Sequence, residues 1–300
     1  MSLLTQKNNK KVWALGLASV ATSILFSFLG APFLRAFSVS ARSTVFWFVG
    51  IVFVASLYLL GTAENQLSQA AVYVGAIWMT LGTYAELEKR GISWKKTGTL
   101  ALLAGIIFAW IGYTLVSKNQ SVPNTTLIQI VEPIQQSIKQ AFPESKIDTA
   151  MLVGYLPGMF VASLFGALAL GFLLESRVSK MFQIQREKVA TGLRGLEFRL
   201  PDLFIWVSLF ALLFAVIDFD QKLLKVVSIN LLIFAGVAFF FQGLAVVEFT
   251  MRFLRFGPLG RVMTYVLILF QLAPFIVLVG LVDYWADFRR LMRKKAKGPA

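Results

Sequence analysis

Apolar residues along this chain gather into eight long stretches: Val12–Leu29, Thr44–Thr62, Ser68–Leu87, Thr97–Val116, Ala150–Leu174, Leu203–Ile217, Leu223–Phe249 and Val262–Val282. A helix of about 20 mostly apolar residues crosses the hydrocarbon core of a bilayer. The pattern therefore predicts an all-α fold, a polytopic transmembrane helix bundle of about eight spans. The stretches tile residues 1–300 as a single integral membrane domain.

One sizeable polar connection interrupts them, at 117–149. Within it Leu127, Ile130, Val131, Ile134, Ile138 and Phe142 recur at helical spacing, and Gln129, Gln135, Gln136, Lys139 and Gln140 take the other face. This predicts an amphipathic helix on the membrane surface or over the bundle's end, with Pro133 at a kink or in its first turn. Asn124-Thr125-Thr126 has the form of a glycosylation sequon and is taken as chance. Residues 286–300 form a basic tail, predicted to be cytoplasmic.

Small and polar residues inside the spans supply the candidate contacts. Gly154, Gly158, Ala162 and Gly166 stand four apart, so they stack along one side of a helix where another backbone can approach. Ala14 and Ala18 repeat that spacing in the first span. Polar side chains deep in a span are costly and turn toward the bundle interior. Asn230 and Gln242 in the seventh span and Gln271 in the eighth, beside Pro274, are the candidates. Gln242-Gly243 is the better ligand contact, because an amide both donates and accepts and the glycine leaves room. Interhelix bonding is the competing role for all three. Asp283 and Asp287 lie one turn apart at the end of the last span, with Tyr284 and Trp285 between them, which suits edge anchoring.

Composition agrees with a membrane protein: 57% of residues are hydrophobic and 15% charged, with a mean hydropathy of +0.72. The chain has no cysteine and no histidine. That removes thiol chemistry, the usual zinc and haem ligands, and the commonest proton carrier near neutral pH. No cofactor or metal site and no enzyme activity are expected; the two aspartates are the one conceivable catalytic centre. No carboxylate sits at mid-span, which argues against a carboxylate-driven pump. A net charge of +14 is assigned to the membrane edge and anionic headgroups rather than to nucleic acid. The first span follows Lys7, Lys10 and Lys11 but has no evident cleavage site, so it reads as a retained helix.

Eight crossings place both ends on one side, predicted to be the cytoplasm. The side holding the ends then carries 14 of the 29 Lys and Arg residues and the other side 15, so the positive-inside rule does not discriminate. Two basic clusters, Arg177–Arg199 and the carboxyl tail, fall on opposite sides of that count.

Several phrases together resemble the YybS-like family of predicted bacterial membrane proteins, a domain of unknown function. They are Glu86–Gly91, Ile147-Asp148 with Leu156-Pro157-Gly158, Phe198–Asp202 with Trp206, Phe241–Ala245, and Gly280–Asp283 with Asp287-Phe288-Arg289. The resemblance implies the bacterial cytoplasmic (inner) membrane. More distantly, that family is similar to the substrate-binding subunits of energy-coupling-factor transporters, where a small-residue motif on the first helix docks a coupling subunit. Ala14 and Ala18 would play that part here.

Two functions compete. One is a small-molecule-binding membrane subunit with a polar pocket near Asn230, Gln242 and Gln271. It has no Gly-x-x-x-x-Gly-Lys-Ser/Thr loop, so energy would come from a partner subunit. The other is a membrane scaffold acting through its interfacial helix and basic loops. The working site is expected in the second half of the chain.

Overall fold

The computed structural model describes residues 3–61, 66–118, 123–141, 143–144, 149–184, 198–217 and 221–296. Among these the chain is entirely helical, without strands. The helices are α1 (Leu3–Phe26), α2 (Ala31–Ser40), α3 (Ser43–Leu60), α4 (Gln66–Lys89), α5 (Trp94–Lys118), α6 (Pro123–Ala141), α7 (Thr149–Met181), α8 (Asp202–Val216), α9 (Lys222–Phe253), α10 (Pro258–Leu267), α11 (Ala273–Ala286) and α12 (Phe288–Ala296). Five segments are long and apolar enough to cross a membrane: Lys10–Ser40, Ser43–Leu60, Trp94–Ser117, Thr149–Met181 and Lys222–Phe253. Large apolar side chains such as Leu17, Phe48, Leu59, Trp110 and Leu203 are more than half exposed, as expected where the solvent is lipid.

The chain forms two compact units. The first comprises Met1–Gly154 and Ser163–Gly192, the second Tyr155–Ala162 and Leu193–Ala300. In the first, α4 is the central helix, packed on α3 and α5. Its Ala71, Val74, Ala76, Ile77, Trp78, Leu81, Tyr84 and Ala85 are buried. A helix so covered by protein need not be apolar all round, which is why α4 carries Thr80 and Thr83 at mid-length and misses the hydropathy of a lipid-facing span. Gly91 (φ 74°) ends α4 in a left-handed cap, with Ile92 N–H donating back to Leu87 O. The chain thereby turns directly into α5.

The first apolar stretch departs from a straight crossing. Pro32 cannot extend α1, because it lacks an N–H and its ring would clash with the carbonyl four residues back. The backbone tightens into a 3₁₀ turn at Ser27–Gly30 and restarts as α2. Gly30 lies on the backbone of Thr22 and Ser23, where a Cβ would come within 2.9 Å, and Gly16 lies under the Phe37 ring. Residues 22 and 30 are level, and so are 16 and 37, so α1 and α2 form an antiparallel hairpin.

The amphipathic segment is α6. Val131 is buried, while Glu132, Gln136, Lys139 and Gln140 are exposed. Pro133 lies inside this helix, not in its first turn. The side chains of residues 124–126, 129 and 130, all of residue 142 and the 147–148 phrase lie outside the described residues, as do residues 185–197 of the basic segment and 297–300 of the tail.

In the second unit α9 packs on α8, α11 and α12. Ile205, Ala235 and Phe239 form its core, with Leu200, Phe204, Val277, Leu281 and Tyr284 against them. The last apolar stretch is divided: Pro274 stands in the first turn of α11, and the preceding Ile268–Leu272 widens into a π-helical turn. A proline blocks the carbonyl of residue 270, and one extra residue in the turn relieves the clash.

Candidate functional site

The sequence candidates of the second half fall in the second unit, and the structure separates them. Gln242 is 1% exposed. Its Oε1 accepts from Leu200 N–H at 3.0 Å, and its Nε2 donates to Gly280 O at 3.0 Å and to Asp283 Oδ2 at 3.4 Å. Asp283, also 1% exposed, accepts from Arg289 Nη2 at 2.7 Å and from Phe288 N–H at 3.1 Å. Arg289 Nη1 donates to Phe198 O at 2.9 Å. This network ties the strap Phe198–Leu200 to α9, α11 and the start of α12. Asp287 adopts the left-handed conformation (φ 42°) that lets the chain turn between the last two helices. Its Oδ2 lies 3.4 Å from Arg199 Nη1.

Four phrases of the family resemblance thus converge on one place: Phe198–Asp202, Phe241–Ala245, Gly280–Asp283 and Asp287–Arg289. Gly243 and Gly280 make the convergence possible. A Cβ on Gly243 would stand 2.0 Å from Ile276 O, and one on Gly280 1.9 Å from Phe239 O. Here Gly243 brings two backbones together; it leaves no room for a ligand beside Gln242. Arg199, from the end of the first basic cluster, and Arg289, from the start of the tail, belong to the same network.

Asn230 lies elsewhere on α9. Its Oδ1 accepts from Gly158 N–H and its Nδ2 donates to Val226 O at 2.8 Å. Gly158 N–H is an amide that Pro157, in the same helix, does not replace. Gly158 sits directly on the Asn230 backbone, where a Cβ would come within 2.7 Å. Ala162 is buried in the same unit, and Gly154 and Gly166 fall in the first unit. Gln271 is exposed in the π-helical turn. Asn230 and Gln242 bond to different partners. Gln242 and Asn230 spend their hydrogen bonds on holding helices together.

Two features of the first unit were missed by sequence reasoning. The first is an ionic cluster at the end of the helix bundle. Arg35 on α2, fully buried, pairs with Glu88 on α4 and, at 3.2 Å, with Glu175 on α7. Its guanidinium lies 5.1 Å from the Tyr84 ring centre and 4.7 Å from that of Phe172. A charge removed from water needs such pairing to be tolerated, and the stacked rings add attraction from their faces. The signal for it was Arg35 itself, a cation just past Pro32 inside an apolar run.

The second is a cavity of about 650 Å³ between α3, α4 and α5. Trp47, Tyr58, Trp78, Met79 and Phe108 supply its bulky walls, and Gly50, Gly75 and Gly112 the space. At its rim Ile51, Ile111 and Leu115 are at least half exposed, so it opens sideways on the apolar flank of α3 and α5. Its lining is almost wholly apolar, and its size lies within the ~300–1,000 Å³ of small-molecule sites. Ala14 is exposed on α1 and Ala18 half-buried.

No curated protein and no solved structure matches the chain. The family described as predicted membrane protein (DUF2232) matches residues 12–284. With apolar helices long enough for a bilayer and a match over nearly its whole length, the chain belongs to this family of membrane proteins.

Proposed function

We propose that the chain is a multi-pass membrane subunit that binds an apolar, membrane-soluble small molecule between α3, α4 and α5. The cavity carries this proposal: about 650 Å³, aromatic-walled and open toward the side that lipid occupies. Its wall is almost wholly apolar and offers a polar solute little in exchange for water, whereas an apolar molecule already dissolved in the bilayer enters without that cost. This reading places the site in the first half of the chain rather than near Asn230, Gln242 and Gln271, the position expected from sequence.

The same proposal covers the finer points. The chain is not an enzyme: it lacks His and Cys, and Asp283 and Asp287 are engaged in the latch of the second unit. It sits in a bacterial cytoplasmic membrane with both termini in the cytoplasm, and α6 lies along the membrane surface. A partner membrane subunit, as in the energy-coupling-factor transporters that the chain distantly resembles, would meet α1 on the face that carries Ala14 and Ala18.

The test is a cavity-filling variant. Ala55 lines the cavity and is exposed, so Ala55→Phe fills the mouth without disturbing the core. Purified protein is expected to be stabilised against heat by an isoprenoid or long-chain apolar compound, and the variant is expected to lose that stabilisation. A panel of such compounds that shifts neither protein, or both equally, contradicts the proposal.

A further inference from the structure

We infer that Leu3–Ser40 is a re-entrant hairpin, entering and leaving the bilayer by one face, and that the cations around its base bind anionic lipid headgroups there. Length and composition alone would allow Lys10–Ser40 to cross, but its contacts do not. Lys11 Nζ donates to Gln183 Oε1 at 3.0 Å, just beyond the end of α7. Lys89, the last residue of α4, donates from Nζ to Ser43 Oγ at 3.3 Å. Arg35 joins the ends of α4 and α7 through Glu88 and Glu175. Residues 11 and 43, on either side of the hairpin, therefore stand at the same end of the unit.

The depth agrees. From Lys11 to Phe26 a helix advances roughly 22 Å, and the ten residues of α2 return roughly 15 Å, against a hydrocarbon core of about 30 Å. The tip carries Ile24, Leu25, Phe26 and Leu29, all 57–71% exposed, as a segment ending in lipid requires. Irregular backbone at that depth is tolerated where protein covers it, and Gly30, Ala31 and Pro32 are buried.

The hairpin also changes the charge count of the first unit. A straight first crossing sends Arg42, the α4–α5 turn and the segment after α7 to the side opposite Lys10 and Lys11. A re-entrant one gathers them. Exposed or half-exposed Lys10, Lys11, Arg42, Arg90, Lys96 and Lys180 then share one end. Among the described side chains of this unit, Lys139 on α6 is the cation of the other end. An end so basic is the cytoplasmic one, and it meets the anionic lipids of that leaflet.

The chain has no cysteine, so single-cysteine variants report each position cleanly. Lys10→Cys and Ser43→Cys are expected to resist a membrane-impermeant thiol reagent in intact bacteria and to react after permeabilisation. Glu132→Cys on α6 is expected to react in intact cells, and Leu29→Cys to react slowly in both. Lys10→Cys and Ser43→Cys reacting from opposite sides, or rapid reaction of Leu29→Cys, would overturn the hairpin. For the headgroups, purified protein is titrated with phosphatidylglycerol or phosphatidylcholine and observed by native mass spectrometry. Arg90→Gln/Lys96→Gln is expected to weaken phosphatidylglycerol retention about tenfold or more, at ~1 kcal/mol per cation. Equal retention of both lipids by the unaltered protein, or retention unchanged in the variant, would overturn that part.

Discussion

Gly243 and Gly280 face each other where α9 crosses α11, so closely that a methyl on either would press into the other helix's backbone. Backbone cannot swing aside as a side chain does. Gly243→Ala and Gly280→Ala are each expected to destabilise the protein by at least about 1–3 kcal/mol. Gly236 on α9 has open space around its Cβ position, so Gly236→Ala is expected to leave stability unchanged or raise it by up to about 1 kcal/mol. Thermal unfolding in one detergent separates the three variants.

Arg35 compensates two carboxylates away from water. Arg35→Met leaves Glu88 and Glu175 without their shared cation, a loss of about 3–5 kcal/mol by comparison with other buried pairs. Replacing all three, Arg35→Met/Glu88→Leu/Glu175→Leu, removes the uncompensated charge along with the pairing. That triple variant is expected to recover most of the loss in denaturant unfolding. A triple variant as unstable as Arg35→Met would mean that the cluster's ion pairs, and not the burial of unpaired charge, set the cost.

Gln242 and Asp283 act through a shared network, so their effects should not add. Gln242→Leu leaves the Leu200 amide without its acceptor, at about 1–3 kcal/mol. A double-mutant cycle with Asp283→Asn is expected to give a coupling energy of about 0.5–3 kcal/mol. Amide exchange at Leu200 should quicken in both single variants, because the strap Phe198–Leu200 is held from both sides.

How much of this was legible in the sequence depended on which physical effect carried the information. The amphipathic period of α6 and the apolar runs of α3, α5, α7 and α9 are local properties, and they emerged at nearly the right bounds. The hairpin was written only in Gly30, Pro32 and Arg35. A hydropathy count averages over such residues, so Val12–Leu29 looked like any other span. Gln242 was found because a buried amide is conspicuous, but sequence could not say whether its hydrogen bonds served a ligand or a neighbouring helix. The cavity left no local trace: Gly50, Gly75 and Gly112 lie on three helices, and their shared space exists only once α3, α4 and α5 pack.

Membrane placement itself is testable through the exposed apolar belt. Leu59→Lys on α3, at 80% exposure, lies one residue from the helix end and can snorkel to the interface. Phe48→Lys, at 68% exposure and deeper in the span, cannot do so as easily. Insertion assays are expected to show the larger penalty for Phe48→Lys, on the order of 2–3 kcal/mol. Equal penalties would place α3 differently in the bilayer.

The most direct test of the binding proposal is an experimental structure of the protein extracted in native lipid without detergent exchange. Elongated non-protein density is expected between Trp47, Trp78 and Phe108, reaching the bilayer past Ile51 and Ile111, and absent in Ala55→Phe. A gap closed by inward movement of α5 against α3, with no density in it, would contradict the proposal.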